Sequence, residues 1–527
     1  MKIALAQLNY TIGDIDANVA KIIDAIRRAE REGADLVLFA EYAISGTPAY
    51  DLLRKSTFLT LCEEALEEIA EACTRVTAIV GSPYLTERGA VSAAAVLRNG
   101  CVDHIVAKQH VTARREMGFI VEGEGYQTID ICGSKVAVLV GNDVAHLSEI
   151  DFNADLVVNV NSRRYGKGLL TRRLEMLRSL AFTEGRSIII INQVGGSGDI
   201  VYDGTSGILN KEGKLALIMK SFEEDFRIYD TEAENTPIEV PYTTYNDRTR
   251  LVYEAACLGL RDYFHKNGYK KACIGLSGGI DSSVVACLAV GALGKENVKG
   301  LMMPSRFSPD ESVEDAKALA ENLGIEFSVL PINEAYSAIM DTLKPVTGGT
   351  EFDATEENIQ SRIRTVLLMA LQNKDGYVLL NSSNKSENAI GWCTLYGDTA
   401  GAFSPTGDLY KSEMYDLARY INSRFNNVIP DIILKKEPSS ELRPDQKDSD
   451  ILPPYEVVDA ILYRMIEKGQ HREEIINAGF DSDVVEKIHS MVMTNVKKRY
   501  QYPPVLRLSN RSFRHECHFP LVNKYGY

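Results

Sequence analysis

Six consecutive residues carry the strongest chemical signal in the chain: Ser277-Gly278-Gly279-Ile280-Asp281-Ser282, entered from Ile274-Gly275-Leu276. Glycines admit positive φ and let backbone N–H groups face an anion. The serine hydroxyls add donors. A helix expected to begin at Val284 adds unpaired N–H groups and a positive dipole end. Asp281 is the odd member, because a carboxylate beside phosphates is repulsive. A magnesium ion resolves that conflict. The stretch from Gly275 to Ser282 is therefore read as a phosphate cradle. It is not the Walker form GxxxxGK[ST], because it has no lysine. A plain Gly-Gly turn whose Asp and Ser cap a helix is the bland alternative. The full SGGxDS form between a strand and a helix weighs against it.

The surrounding elements can position such a cradle. A helix is expected over 247–266, then strands over 272–276, 298–303, 327–331 and 377–381, with helices over 312–323 and 357–373 between them. This alternation predicts a doubly wound parallel sheet, which binds ligands beyond its strand C-termini. Ser277, Met303 and Ser382 all follow predicted strands. The first half also alternates. Strands are expected over 2–7, 34–39, 78–81, 136–140, 156–160 and 187–191, and helices over 18–32, 59–73 and 169–184, giving a layered α/β domain. Between the halves the chain turns acidic and proline-punctuated, with Pro237 and Pro241. That composition reads as a linker. The expected organisation is a first domain over 1–235, a linker over 236–249 and a second domain over 250–527.

The 527 residues carry a formal net charge of −15. An acidic surface repels phosphate backbones, so nucleic acid is an unexpected partner. No apolar run approaches the length of a membrane span, and the first residues read as a strand rather than a signal peptide. The nine cysteines form no CxxC pair. Free, mostly buried thiols in a reducing cytoplasm are the expectation. The eight histidines show no metal spacing.

Further segments narrow the chemistry. In chain order they are Met303-Pro304-Ser305-Arg306-Phe307-Ser308, Glu357 to Arg364, Ser382-Ser383-Asn384-Lys385-Ser386-Glu387, Gly391 to Asp398, Asp408-Leu409-Tyr410-Lys411, Leu452-Pro453-Pro454-Tyr455 and Lys498-Arg499-Tyr500-Gln501. The glycine-rich loop resembles the PP-loop of the ATP pyrophosphatases. The whole series resembles the NAD synthetases, and closely the synthetase half of the glutamine-dependent family. The resemblance implies ATP cleavage between the α and β phosphates and adenylation of a substrate carboxylate. It implies ATP at 275–282, Met303 and Ser382, with magnesium at Asp281 and Glu387. It places nicotinic acid adenine dinucleotide against Asn358, Glu387, Trp392, Asp398 and Lys498, and gives catalytic roles to Asp281, Lys411 and Asp398. The family's usual Thr-Gly before Asn-Lys-Ser-Glu is Ser382-Ser383 here, which keeps the hydroxyl.

The first half resembles the nitrilase-like glutaminase domain of the same family, a Glu-Lys-Cys α/β sandwich. Ala6-Gln7-Leu8-Asn9, Leu38 to Gly46, Lys108-Gln109-His110 and Asn192 to Gly196 carry the resemblance. Glu41 and Lys108 match the glutamate and the lysine. Gly141 stands after the strand 136–140, where the cysteine is expected. Cys132 precedes that strand and reads as a buried thiol. Neighbouring segments depart as well, at 111–115 and at Ser162-Arg163, where an arginine could occupy or close the pocket. The expectation is a NAD synthetase with a pseudo-glutaminase half, using free ammonia or ammonia from a separate source. The resemblance also implies a homo-oligomer acting on small molecules. An active glutamine-hydrolysing enzyme, another PP-loop ligase and a non-catalytic nucleotide-binding scaffold are the rival readings.

Overall fold

Along the first strand, β1 (Lys2–Gln7), successive side chains serve different layers. Ile3 and Leu5 enter one apolar cluster, while Ala4 and Ala6 enter another. A strand covered on both faces needs this continuous apolar run. The computed structural model describes residues 1–113, 116–150, 153–233, 247–347 and 352–524. The chain forms two compact units, Met1–Asn246 and Asp247–Tyr527.

In the first unit β1 joins β2 (Leu36–Leu38), β3 (Thr77–Thr86), β4 (Gly89–Arg98), β5 (Cys101–Ala107) and β14 (Asp225–Asp230). Their order is β14-β1-β2-β3-β4-β5. A second sheet contains β6 (Gln127–Ile131), β7 (Ser134–Val140), β8 (Leu156–Asn161), β9 (Ser187–Asn192), β12 (Gly207–Leu209) and β13 (Leu215–Ile218). Its order is β13-β12-β9-β8-β7-β6, and β10 (Val194–Ser197) pairs with β11 (Ile200–Asp203) as a separate hairpin. Leu38 and Ile79 of the first sheet share a core with Val138, Val158 and Ile189 of the second, so the sheets pack face to face. Helices Ile15–Arg31 and Ser56–Glu71 cover the outer face of the first sheet through Ile22, Ile26, Leu66 and Ile69. Helix Leu169–Glu184 covers the second through Leu170, Leu174 and Leu177. The result is the expected α/β sandwich, in four layers.

The second unit is built on a parallel sheet of β15 (Lys271–Gly275), β16 (Val298–Met302), β17 (Glu326–Val329) and β18 (Tyr377–Leu379). The order β17-β16-β15-β18 reverses between β15 and β18. At such a reversal the loops leave in opposite directions and open a crevice. Both the loop at 276–279 and the turn at 382–384 lie there.

Two expectations need correction, and a third lies mostly outside the described residues. The helix after the phosphate loop begins at Ile280, not Val284. Its first turn is polar because Ser282 and Ser283 bond back to the Gly279 carbonyl at 3.1 and 2.8 Å. The linker expected over 236–249 lies, as far as residue 246, outside the described residues, and Arg248 and Thr249 are already helical. Cys132 is exposed at the turn between β6 and β7, at φ 50°, whereas Cys62, Cys73, Cys257, Cys273, Cys287 and Cys517 are buried. No described helix is long and apolar enough to cross a membrane.

Candidate active site

The phosphate loop is held open by its own residues. Gly278 adopts φ +74°, and a β-carbon there would lie 2.4 Å from the Ser312 carbonyl oxygen, so only glycine fits. The Ser277 and Ser282 hydroxyls meet at 3.2 Å, and the Ser277 N–H donates to Ser282 Oγ at 3.3 Å. The helix then starts at Ile280 and carries Asp281 in its first turn.

Asp281 does not stand alone. Helix Lys411–Arg424 delivers its first residue to the same crevice. Lys411 Nζ donates to Asp281 Oδ2 at 2.5 Å and to Glu387 Oε1 at 3.1 Å. Glu387 sits on the short helix Lys385–Ile390, directly after β18. One ammonium therefore bridges two carboxylates. Burial pushes Glu387 up to about 8; the Lys411 ammonium opposes that shift, and the Asp281 and Asp448 carboxylates add to it. Against the cost of burial, the Asp281 and Glu387 carboxylates push Lys411 above its ordinary range. Asp281 and Glu387 are hard oxygen donors. One or two carboxylates completed by phosphate oxygens and water is a usual set for magnesium. Among the described residues, no group of three or more His, Cys, Asp or Glu side chains is arranged to hold a metal by itself.

Ser277, Asp281, Glu387, Trp392, Asp398 and Lys411 all line one cleft. The stretch from Lys436 to Glu441 forms its far wall. Trp392 Nε1 donates to Asp448 Oδ1 at 3.2 Å, and Tyr455 Oη donates to Asp448 Oδ2 at 2.9 Å. Asp398 accepts from the Thr394 N–H at 2.6 Å. Burial pushes it up to about 6, with the Thr394 bond and the Lys498 charge opposing.

Four other expected binding residues are not among those lining this cleft. Met303 is buried in an apolar cluster, with its methyl 3.5 Å from where a β-carbon on Gly275 would sit. Its carbonyl accepts from Arg364 Nε at 2.9 Å. Asn358 Oδ1 accepts from Thr394 Oγ1 at 2.6 Å. Lys498 Nζ donates to the carbonyls of Gly391 and Cys393 at 2.7 and 2.8 Å, so it fastens the segment bearing Trp392. Ser382 is half-buried at the end of β18. Asn384 and Asp448 contact the cleft residues although sequence reading gave them no role.

The Asp398 shift makes a prediction. Its folded value of about 6 lies above the ordinary 3.8. The protonated form is favoured by folding, so this stabilisation is complete below 3.8 and is lost as pH rises through 6. Thermal unfolding of the nucleotide-free protein should therefore lose stability over this window relative to Asp398→Asn, which has no such proton. Parallel pH profiles for the two proteins would sink the assignment.

The first unit has its own buried cluster. Lys108 Nζ donates to Glu41 Oε1 at 3.1 Å and to Glu116 Oε2 at 2.7 Å, and all three side chains are at most 2% exposed. Glu116 was missed, since no local pattern marks it. Gly141 faces this cluster at φ +59°. A β-carbon on Gly141 would lie 2.6 Å from Lys108 Nζ and 3.1 Å from Glu41 Oε1. The Gly141 carbonyl is fixed by Asn159 and Asn161, whose amides donate at 3.1 and 3.0 Å. Arg163 donates to Asn142 Oδ1 at 2.8 Å, and Asn142 in turn donates to Thr112, so the arginine is engaged beside Gly141.

Residues 252–502 match the NAD synthase family, and residues 2–236 match the carbon-nitrogen hydrolase family. Fold and site thus define a carbon–nitrogen ligase unit preceded by a nitrilase-like unit. The chain is 39% identical to the glutamine-dependent NAD(+) synthetase of Aquifex aeolicus, with each chain covered completely. The solved glutamine-dependent NAD+ synthetase of Acinetobacter baumannii, in complex with ADP, is 35% identical at a TM-score of 0.77, covering 99% of this chain and 98% of that one. The crystal structure of the enzyme from Cytophaga hutchinsonii has a TM-score of 0.87 at 21% identity over 99% and 98%, a likeness of fold. The chain belongs to the glutamine-dependent NAD(+) synthetase family.

Proposed function

We propose that the second unit converts nicotinic acid adenine dinucleotide to NAD with ATP, and that its nitrogen is free ammonia rather than glutamine. The substrate carboxylate attacks the α-phosphorus of ATP, and pyrophosphate leaves against the N–H groups of the Ser277–Ser282 loop. Ammonia then attacks the acyl carbon of the adenylate, and AMP leaves. Lys411 offsets the charge that develops on phosphate oxygens. Asp398, poised near neutrality, accepts the proton that the nitrogen sheds. Asp281 and Glu387 would hold magnesium, which when bound neutralises phosphate charge.

The ligase reading is supported by the Asp281–Lys411–Glu387 bridge at the sheet reversal. The ammonia reading is supported by one observation: the residue facing Glu41 and Lys108 is Gly141. Glycine has no side chain to attack an amide, so no thioester forms there. We read Gly141 as standing in for the family's cysteine. Cys132, exposed on a hairpin turn, is not a substitute.

A second reading has an observation in its favour: the relatives that span the chain are named glutamine-dependent. The deciding measurement is NAD formation from nicotinic acid adenine dinucleotide, ATP and magnesium, with ammonium chloride or glutamine as nitrogen source. Turnover with ammonium alone is expected. Equal turnover with glutamine would establish the second reading.

A further inference from the structure

The two carboxylates bridged by Lys411 come from different parts of the second unit. Asp281 lies in the helix after β15, and Glu387 lies in the helix after β18. Nothing in either helix by itself fixes how the two groups meet. Asn384 connects them. Its Oδ1 accepts from the Glu387 N–H at 3.0 Å, which makes it the N-cap of the Glu387 helix. Its Nδ2 donates to Asp281 Oδ1 at 3.1 Å. The amide's orientation is fixed by chemistry, since a backbone N–H only donates and a carboxylate accepts. With Lys411 Nζ on Asp281 Oδ2 and Glu387 Oε1, the four residues close a ring. Asn384 is its only member that does not titrate, and it is fully buried.

We infer that Asn384 is a positioning residue for the synthetase reaction. It holds one oxygen of Asp281, so that the other faces Lys411 and the phosphates, and it starts the helix that presents Glu387 at the matching height. The fold alone does not ask for asparagine. Asn, Asp and Ser cap helices about equally well. Only asparagine combines a cap acceptor with an amide donor that reaches Asp281. An aspartate would keep the cap and set a third carboxylate against the first. A serine would keep the cap and fall short of Asp281. The inference rests on the reading that this cleft binds ATP.

Asn384→Ser and Asn384→Asp, made in the full chain, separate the two roles. Calorimetric titration of the unaltered protein with ATP and magnesium first tests the ATP reading, which fails if no binding is seen. Given binding, Asn384→Ser should weaken ATP by about tenfold, the scale of one hydrogen bond to a charged group. Asn384→Asp should weaken it further, by up to about a hundredfold. In turnover both variants should raise KM for ATP and leave KM for nicotinic acid adenine dinucleotide within about twofold, with the melting temperature of Asn384→Ser, which keeps the cap, close to that of the unaltered protein. A residue that merely caps its helix gives the opposite pattern, with both variants binding ATP within about twofold of the unaltered protein, and that result overturns the inference. If both variants fail to fold, Asn384 is part of the core and not a positioning residue, and the inference falls as well.

Discussion

Lys411→Met should lower kcat/KM for NAD formation by at least about a hundredfold, whatever the nitrogen source. Removing a preorganised group that meets developing charge typically costs about 10²–10³ in rate. Lys411 does more than donate one bond. Its ammonium is the shared cation of Asp281 and Glu387, at 2.5 and 3.1 Å. Without it the two carboxylates repel each other and the incoming phosphates. The effect on folding should be smaller, because those carboxylates keep 18% and 17% side-chain exposure and water screens part of the repulsion. Steady-state kinetics beside a thermal melt separates the two effects. Turnover within threefold of the unaltered protein, on the order of a single weak contact, would remove Lys411 from the mechanism.

The largest effect on stability is expected at Gly81→Ala. Gly81 lies in β3 beneath the segment that carries Glu41. A β-carbon there would come within 2.2 Å of the Ala40 carbonyl oxygen, 2.5 Å of Glu41 Cα and 2.8 Å of Tyr42 N. Every one of these atoms is backbone, so no flexible side chain can turn aside. Overpacking a core costs about 1–3 kcal/mol, occasionally more. The immovable neighbours put this change at about 3 kcal/mol or above. Chemical denaturation of the first unit should register it as an early transition. A midpoint unchanged from the parent would mean that β3 and the 40–42 segment separate freely.

The sequence made some of this legible through local chemistry. The helix Leu169–Glu184 is bracketed by Gly168 and Gly185, both with positive φ, and its ends were read correctly. The phosphate loop announced itself because its glycines and hydroxyls serve one purpose at adjacent positions. Its boundary was harder. Ile280 to Ser283 reads as loop because it is polar, yet first-turn helical residues favour small polar side chains that bond to nearby backbone. β4 and β5 went unread. Ala93-Ala94-Ala95 in β4 shows no alternation, because both of its faces are covered and small residues suffice. The Asp281–Glu387–Lys411 grouping was reached through resemblance, and the ring that Asn384 completes appears only when β15 and β18 are set side by side. Glu116 joins Glu41 and Lys108 from a loop with no periodicity, so only the fold brings it there.

The pairing of β1 with β14 has a consequence for biosynthesis. Lys2 pairs with Asp230 and Gln7 with Asp225. A ribosome adds about 5–20 residues per second, so β1 waits on the order of ten to fifty seconds after its own synthesis for this neighbour. During that interval its edge offers unpaired N–H and C=O groups along an apolar strand, a template for pairing with other nascent chains. Any arrest of translation before Asp225 leaves that edge bare, and such a fragment is sticky whatever the state of its remaining strands. The first unit thus keeps this edge open to chaperones and proteases until it is almost complete.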